Sequence, residues 1–163
     1  MTLRLQRPSG AGSAQEGRRK MIIAVASDHG GFALKNVVKD HLLERGIEVA
    51  DMGTYNEDSV DYPEFGKKCA EEVASGKADK GIVCCGTGIG ISIAANKVKG
   101  IRCALCVNEE MAEMASKHNN ANMISMGGRI LDDETALKIV DTWLDTEFEG
   151  GRHKRRTDML DAM

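Results

Sequence analysis

From residue 21 onward, short apolar runs alternate with longer amphipathic stretches, and this alternation leaves the chain very few possible folds. The first run, "MIIAVAS", is rich in β-branched and small apolar residues, as a buried strand requires. In the stretch after it, the apolar residues of a helical face recur at Leu34, Val37, Val38 and Leu42. Four more strand and helix pairs follow. The pattern predicts a single-domain, three-layer α/β/α Rossmann-like fold with a five-stranded parallel sheet and an extra C-terminal helix.

The composition excludes several classes of partner. The 163 residues carry a net charge of −3, so no global positive field favours nucleic acid. No apolar run reaches the length that spans a membrane. The five cysteines are an odd number and lie mostly inside apolar runs, which indicates free thiols and a cytoplasmic location.

Residues 1–20 differ from the rest of the chain. They carry five basic residues and one acidic residue around a patch of serine, glycine and alanine. They lack the hydrophobic segment of a secretory signal, and the alternatives are an arginine-bearing transit peptide or an upstream start before a natural start at Met21. We expect a flexible N-terminal extension over residues 1–20 and one folded domain over residues 21–163.

A glycine-rich turn, "CGTGIG", follows the third predicted strand. In parallel sheets ligands bind beyond the carboxyl ends of the strands, and a strand-to-helix turn presents backbone N–H groups to an anion. The spacing of Gly86, Gly88 and Gly90 fits neither a P-loop nor a dinucleotide fingerprint. A nucleotide-binding redox domain, with Glu109 as the ribose-binding acid, remains an alternative.

Two pairs of cysteines lie in predicted strands. Cys103 and Cys106 have the C-x-x-C spacing of redox and zinc motifs, but residues three apart on a strand point to opposite faces. We therefore expect both to be core residues. Cys84 and Cys85 also point to opposite faces, and Cys85 is nearer the strand tip. A thiolate is stabilised at a helix N-terminus, so Cys85 is a candidate nucleophile or general base, with simple packing as the alternative.

Two histidines are further candidates. His29 follows Asp28 at the end of the first strand, where a ligand should bind. His118 lies on the apolar side of the fourth helix, where a half-buried structural histidine is an equally good interpretation. The sequence shows no cluster of histidine, cysteine and carboxylate residues at metal-binding spacing, so we predict no metal site.

The last predicted helix carries both charge and apolar surface. Arg152 and Arg156 are four residues apart and share a helix face, where they form either a phosphate clamp or a solvated face. Met159, Leu160 and Met163 extend that side with apolar groups. Because both faces of the sheet are already covered, this helix indicates contact with a second subunit.

Six motifs together resemble one known family. The chain contains "SDHGGFALK", "DYPEFG", "CGTGIGISIAANK", "KHNNAN", "GGRI" and "EGGRHKRR", in the order and at the spacings of ribose-5-phosphate isomerase type B. The wider family includes galactose-6-phosphate and allose-6-phosphate isomerases. The resemblance runs from Met21 to the tail and leaves out the first twenty residues. It implies a Rossmann-like enzyme that interconverts ribose 5-phosphate and ribulose 5-phosphate without a metal or organic cofactor.

The resemblance also implies catalytic roles. Cys85 would be the base that moves a proton between C2 and C1 of the sugar. Part of the family has a glutamate where this chain has Ile91, so the chain resembles the thiol branch. His118 would open the furanose ring, with Asp28 near it, and Thr87 would assist proton movement between the two oxygens.

The remaining implied roles concern substrate binding and assembly. The resemblance assigns the enediolate oxygens to the backbone of Gly86, Thr87, Gly88, Ile89 and Gly90, the sugar to Asn119, and the phosphate to His29, Arg129, Arg152 and Arg156. It also implies a homodimer whose active sites contain residues from both chains, with pairing of dimers into tetramers left open. Two alternatives remain: an isomerase of allose or galactose 6-phosphate, and a non-catalytic sugar-phosphate sensor.

Overall fold

The structure, a computed structural model, describes residues 19–163. The expected N-terminal extension lies almost wholly outside the described residues. The strands are β1 (Ile22–Ser27), β2 (Glu48–Asp51), β3 (Lys80–Cys85), β4 (Cys103–Leu105) and β5 (Met123–Gly127). The helices are α1 (Phe32–Glu44), α2 (Tyr62–Ala74), α3 (Ile89–Asn96), α4 (Glu109–Lys117), α5 (Asp133–Asp145) and α6 (Arg152–Asp161), with a short 3₁₀ turn at His29–Gly31.

The five strands form one parallel sheet in the order β2-β1-β3-β5-β4. One hydrophobic core packs α1, α4 and α5 on one face, and a second packs α2 and α3 on the other. The central strands are buried on both faces, and for this reason their sequences are nearly continuous apolar runs. The predicted fold class is confirmed.

The two cysteine pairs lie as the strand alternation predicted. Cys84 packs in the α1, α4 and α5 core, and Cys85 packs in the α2 and α3 core. Cys106 and Cys103 divide between the same two cores in the same way. Burial raises the pKa of the Cys106 thiol to about 12 and also raises that of Cys103, so neither offers a ready thiolate. β4 itself is shorter than expected and ends before Cys106.

The chain path explains where a ligand can bind. α1 leaves β1 for one face of the sheet, and α3 leaves the neighbouring β3 for the other. Such a reversal opens a crevice beyond the carboxyl ends of the two strands. The loops after β1, β3 and β5 meet at this carboxyl edge. Among residues 19–163, no helix combines the length and apolar character needed to cross a membrane.

Candidate active site

Three loops are joined backbone to backbone at the carboxyl edge. Asp28 N–H donates to the carbonyl oxygen of Cys84 at 3.3 Å, and Gly128 N–H donates to that of Cys85 at 2.8 Å. Arg129 N–H donates to the carbonyl oxygen of Gly86 at 2.9 Å. The loops after β1 and β5 therefore hydrogen-bond to the end of β3 and to the glycine turn, and these bonds fix the backbone of the turn.

Glycine is required where these loops touch. A Cβ on Gly31 would lie 2.4 Å from the carbonyl carbon and oxygen of Cys84, which no side chain can accept. Gly88 has φ of +81°, and a Cβ there would lie 2.8 Å from the Leu105 side chain. The glycines of "CGTGIG" thus allow a tight turn whose N–H groups stay near the Cys85 thiol.

Cys85 is the side chain around which the turn is built. It ends β3 and is 4% exposed, and its Sγ accepts a hydrogen bond from Gly88 N–H at 3.1 Å. Its neighbour Cys84 packs in the opposite core, and full burial raises the pKa of that thiol to about 12. Thr87 is exposed beside the turn, and its Oγ1 accepts from Ile89 N–H at 3.2 Å. The thiol therefore lies at the N-terminus of α3, where Gly88 N–H donates to it and the Thr87 hydroxyl accepts from the next N–H group.

The loops after β1 and β5 supply polar side chains to the same crevice. Asp28 is buried and caps the 3₁₀ turn, with Oδ1 accepting from Gly31 N–H at 3.1 Å. His29 Nδ1 accepts from Val60 N–H at 3.2 Å, which leaves Nε2 as the ring's other polar atom. The Arg129 guanidinium lies over the turn, since a Cβ on Gly86 would be 3.0 Å from its Nη1.

The other four predicted site residues lie at the opposite edge of the sheet. His118 and Asn119 follow α4, which runs from the carboxyl edge to the amino edge, and Arg152 and Arg156 lie on α6 beside them. β5, five residues long, separates the two edges by about 13 Å at a rise of about 3.3 Å per residue. One chain alone therefore does not bring His118 to Cys85.

The amino-edge group includes a cluster that sequence spacing did not reveal. The ring of His118 stacks on that of His153, with centroids 4.1 Å apart and planes within 8° of parallel. Glu149 Oε2 lies 3.3 Å from Nε2 of His153 and 4.0 Å from Nε2 of His118. The sequence shows no group of potential metal ligands at metal-binding spacing, but the fold brings these three residues together. The absence of a metal site stays a prediction.

The ring stack limits what this cluster can bind. The ring-nitrogen lone pair of a histidine lies in the plane of its ring. Because the two rings are parallel and stacked, an ion in the plane of His118 lies outside the plane of His153. The arrangement therefore suits proton transfer better than coordination of one metal ion by both histidines.

The sequence pattern also did not indicate that Lys35 is buried. Lys35 is 1% exposed, and its Nζ donates to Asp51 Oδ1 at 2.8 Å and to the carbonyl oxygen of Thr54 at 2.5 Å. Burial opposes ionisation of Asp51, but hydrogen bonds from Lys35, Gly53 N–H and Lys39 outweigh it and lower the pKa of Asp51. Lys35 thus anchors the loop after β2 next to the crevice.

Comparison with known proteins places the chain in a family. A profile of the family described as Ribose/Galactose Isomerase matches residues 23–160. The chain belongs to this family. Ribose-5-phosphate isomerase B of Escherichia coli is 45% identical over 141 residues, which cover 86% of this chain and 95% of that protein.

Solved structures of the Ribose/Galactose Isomerase family share the fold. Ribose-5-phosphate isomerase B of Clostridium thermocellum is 55% identical, with a TM-score of 0.86 over 87% of this chain and 96% of its own. Ribose-5-phosphate isomerase B of Mycoplasma genitalium, solved with bound ribulose-5-phosphate, is 41% identical, with a TM-score of 0.84. That match covers 89% of this chain and 97% of the Mycoplasma chain.

Proposed function

We propose that the chain interconverts ribose 5-phosphate and ribulose 5-phosphate through an enediolate, with Cys85 as the base. The observation that carries this proposal is the Cys85 thiol, held by Gly88 N–H at 3.1 Å within the glycine turn. Family membership and the ribulose-5-phosphate bound to the Mycoplasma genitalium relative support the substrate.

The carboxyl edge holds groups for each step of the proton transfer. The Cys85 thiolate takes the proton from C2 of the open-chain aldose, and the C2–H electron pair forms the enediolate as the C1 carbonyl becomes O⁻. Backbone N–H groups from Gly86 to Gly90 stabilise that charge. Thr87 helps to move a proton between O2 and O1. The C2 carbonyl then forms, and Cys85 returns its proton to C1.

A second copy of the chain completes the site in this proposal. His118 would open the furanose ring and Asn119 would bind the sugar, but both lie at the amino edge of their own sheet. In a two-fold dimer, the amino edge of one protomer can face the carboxyl edge of its partner, which makes two equal sites. Arg152 and Arg156 would then join His29 and Arg129 of the other chain around the phosphate.

Apolar surface near α6 supports this assembly. Met159, Leu160 and Met163 are 60%, 48% and 84% exposed, which suits burial against a partner. A cavity of about 430 Å³ lies beside Asn119 and Leu160 at the amino edge, where Met163 also lines it. We propose a homodimer, with a tetramer of such dimers as a further possibility.

The proposal includes a location and a cofactor requirement. All five cysteines are free thiols, which favours a reducing cytoplasm. The proton transfers described above use only side chains and backbone groups of the protein. We therefore expect full activity without an added metal or organic cofactor.

A substrate panel tests the proposed function. Purified protein in the presence of a chelator should convert ribose 5-phosphate to ribulose 5-phosphate, measured by the ketose formed. Allose 6-phosphate and galactose 6-phosphate, assayed in parallel, should give lower kcat/KM values. A preference for either hexose phosphate would reassign the substrate, and inactivity on all three sugars with retained binding would indicate a sensor and contradict the proposal.

A further inference from the structure

The ring of His118 lies against residues 149–153 of its own chain. His153 lies under it in a flat stack, with ring centroids 4.1 Å apart. His153 is 7% exposed, so this supporting ring is itself fixed by packing at the start of α6. His118, by contrast, is half-buried and makes no side-chain hydrogen bond within the described residues.

Contacts of Glu149 hold residues 149–153 against the end of α4. Glu149 N–H donates to the carbonyl oxygen of Lys117 at 3.1 Å, one residue before His118. The Glu149 carboxylate lies 3.7 Å from Lys117 Nζ and 3.3 Å from His153 Nε2. Trp143 Nε1 donates to the carbonyl oxygen of Ala121 at 2.9 Å, which fixes the far side of the same turn. The stack is therefore tethered at both ends.

The surroundings of His153 disfavour a proton on its own ring. Burial lowers the pKa of His153, and the nearby positive charges of His118 and Arg152 lower it further. The Glu149 carboxylate, which lies within 4.0 Å of Nε2 on both rings, opposes this lowering of the His153 pKa, and it faces Lys117 as well. A neutral His153 ring can still support the His118 ring by stacking.

We infer that His153 is a positioning residue that holds the His118 imidazole flat against it in the orientation needed to open the furanose ring. This inference rests on the proposed function. His153 itself acts only through His118 and has no contact with the reacting carbons. A misplaced proton donor slows the ring-opening step alone, since the later proton transfer at Cys85 does not use it.

Two substrates separate ring opening from proton transfer. Ribose 5-phosphate must open its furanose ring, whereas 4-deoxyribose 5-phosphate lacks the hydroxyl that closes that ring and is always open-chain. His153→Ala should lower kcat on ribose 5-phosphate by about 10- to 100-fold with little change in KM. Its kcat on the acyclic analogue should stay within about twofold of wild type, because the Cys85 step is untouched.

A second variant keeps the stack while removing the nitrogens. His153→Phe retains a flat ring under His118 and should recover most of the wild-type kcat on ribose 5-phosphate. His41→Phe is the matched control, because His41 pairs with Asp141 at 2.7 Å, and a change there should leave both substrates unaffected. Thermal unfolding of each variant checks that the fold is intact.

The outcomes distinguish this inference from the proposed function. His153→Phe as slow as His153→Ala, or His153→Ala as fast as wild type, would overturn the positioning role. An equal loss on both substrates would also overturn it, since a general structural defect affects both. Wild-type protein that fails to isomerise ribose 5-phosphate would instead reject the proposed function, on which the inference depends.

Discussion

Replacing Cys85 by alanine should lower kcat for ribose 5-phosphate by about 10²- to 10⁴-fold, the usual contribution of a positioned acid–base group. The loss should be just as large on the acyclic analogue, because the proton transfer between C2 and C1 is common to both substrates. KM should change little, since the phosphate-binding side chains are untouched. Steady-state rates and substrate binding by calorimetry measure the two effects.

The neighbouring thiol is the matched control for this prediction. Cys84 is fully buried in the opposite core, and its side chain points away from the crevice. Cys84→Ala should cost about 1 kcal/mol of stability and leave kcat near the wild-type value. A folded Cys84→Ala protein without activity, or a Cys85→Ala protein with full activity, would reject Cys85 as the base.

Replacing His118 by alanine should produce a different pattern. Turnover of ribose 5-phosphate should fall by about 10²-fold or more, because the variant must wait for the small open-chain fraction of the sugar. Turnover of 4-deoxyribose 5-phosphate should remain close to wild type. Parallel assays of the two substrates, with His41→Ala as the histidine control, measure the ratio. Equal losses on both substrates would reject His118 as the ring-opening group.

Local sequence patterns predicted the sheet and the glycine turn because both depend on local rules. Strands buried on both faces need continuous apolar runs, and a strand tip facing a helix N-terminus needs glycines where backbones touch. The division of Cys84 and Cys85 between two cores follows from the two-residue period of a strand. The resemblance to the isomerase family implied residue roles that local geometry left open, and those roles stay predictions.

Contacts between distant segments could not be predicted in the same way. Lys35 looks like an ordinary exposed residue of a helix, and only its packing against Asp51 and Thr54 makes it buried. Glu149 and His153 are four residues apart, a visible helical spacing, but nothing in the sequence places His118 beside them. Such partners are set by the tertiary fold, which periodicity does not encode.

The separation of the candidate site into two edges was the least predictable feature. The sequence placed Cys85 and His118 each after its own element, and the motif family implied that they act together. Only the chain path shows that they lie at opposite edges of the sheet, separated by the length of the five-residue strand β5. The proposed active site therefore requires residues from two protomers.

Dimers assembled from two differently tagged chains test this shared site most directly. A mixed dimer of Cys85→Ala and His118→Ala chains should contain one intact site and recover about half of the wild-type activity. A dimer of wild type with the Cys85→Ala, His118→Ala double variant should be nearly inactive, since each site then lacks one group. Activity in the second dimer and none in the first would contradict the shared site, because each chain would then hold a complete site of its own.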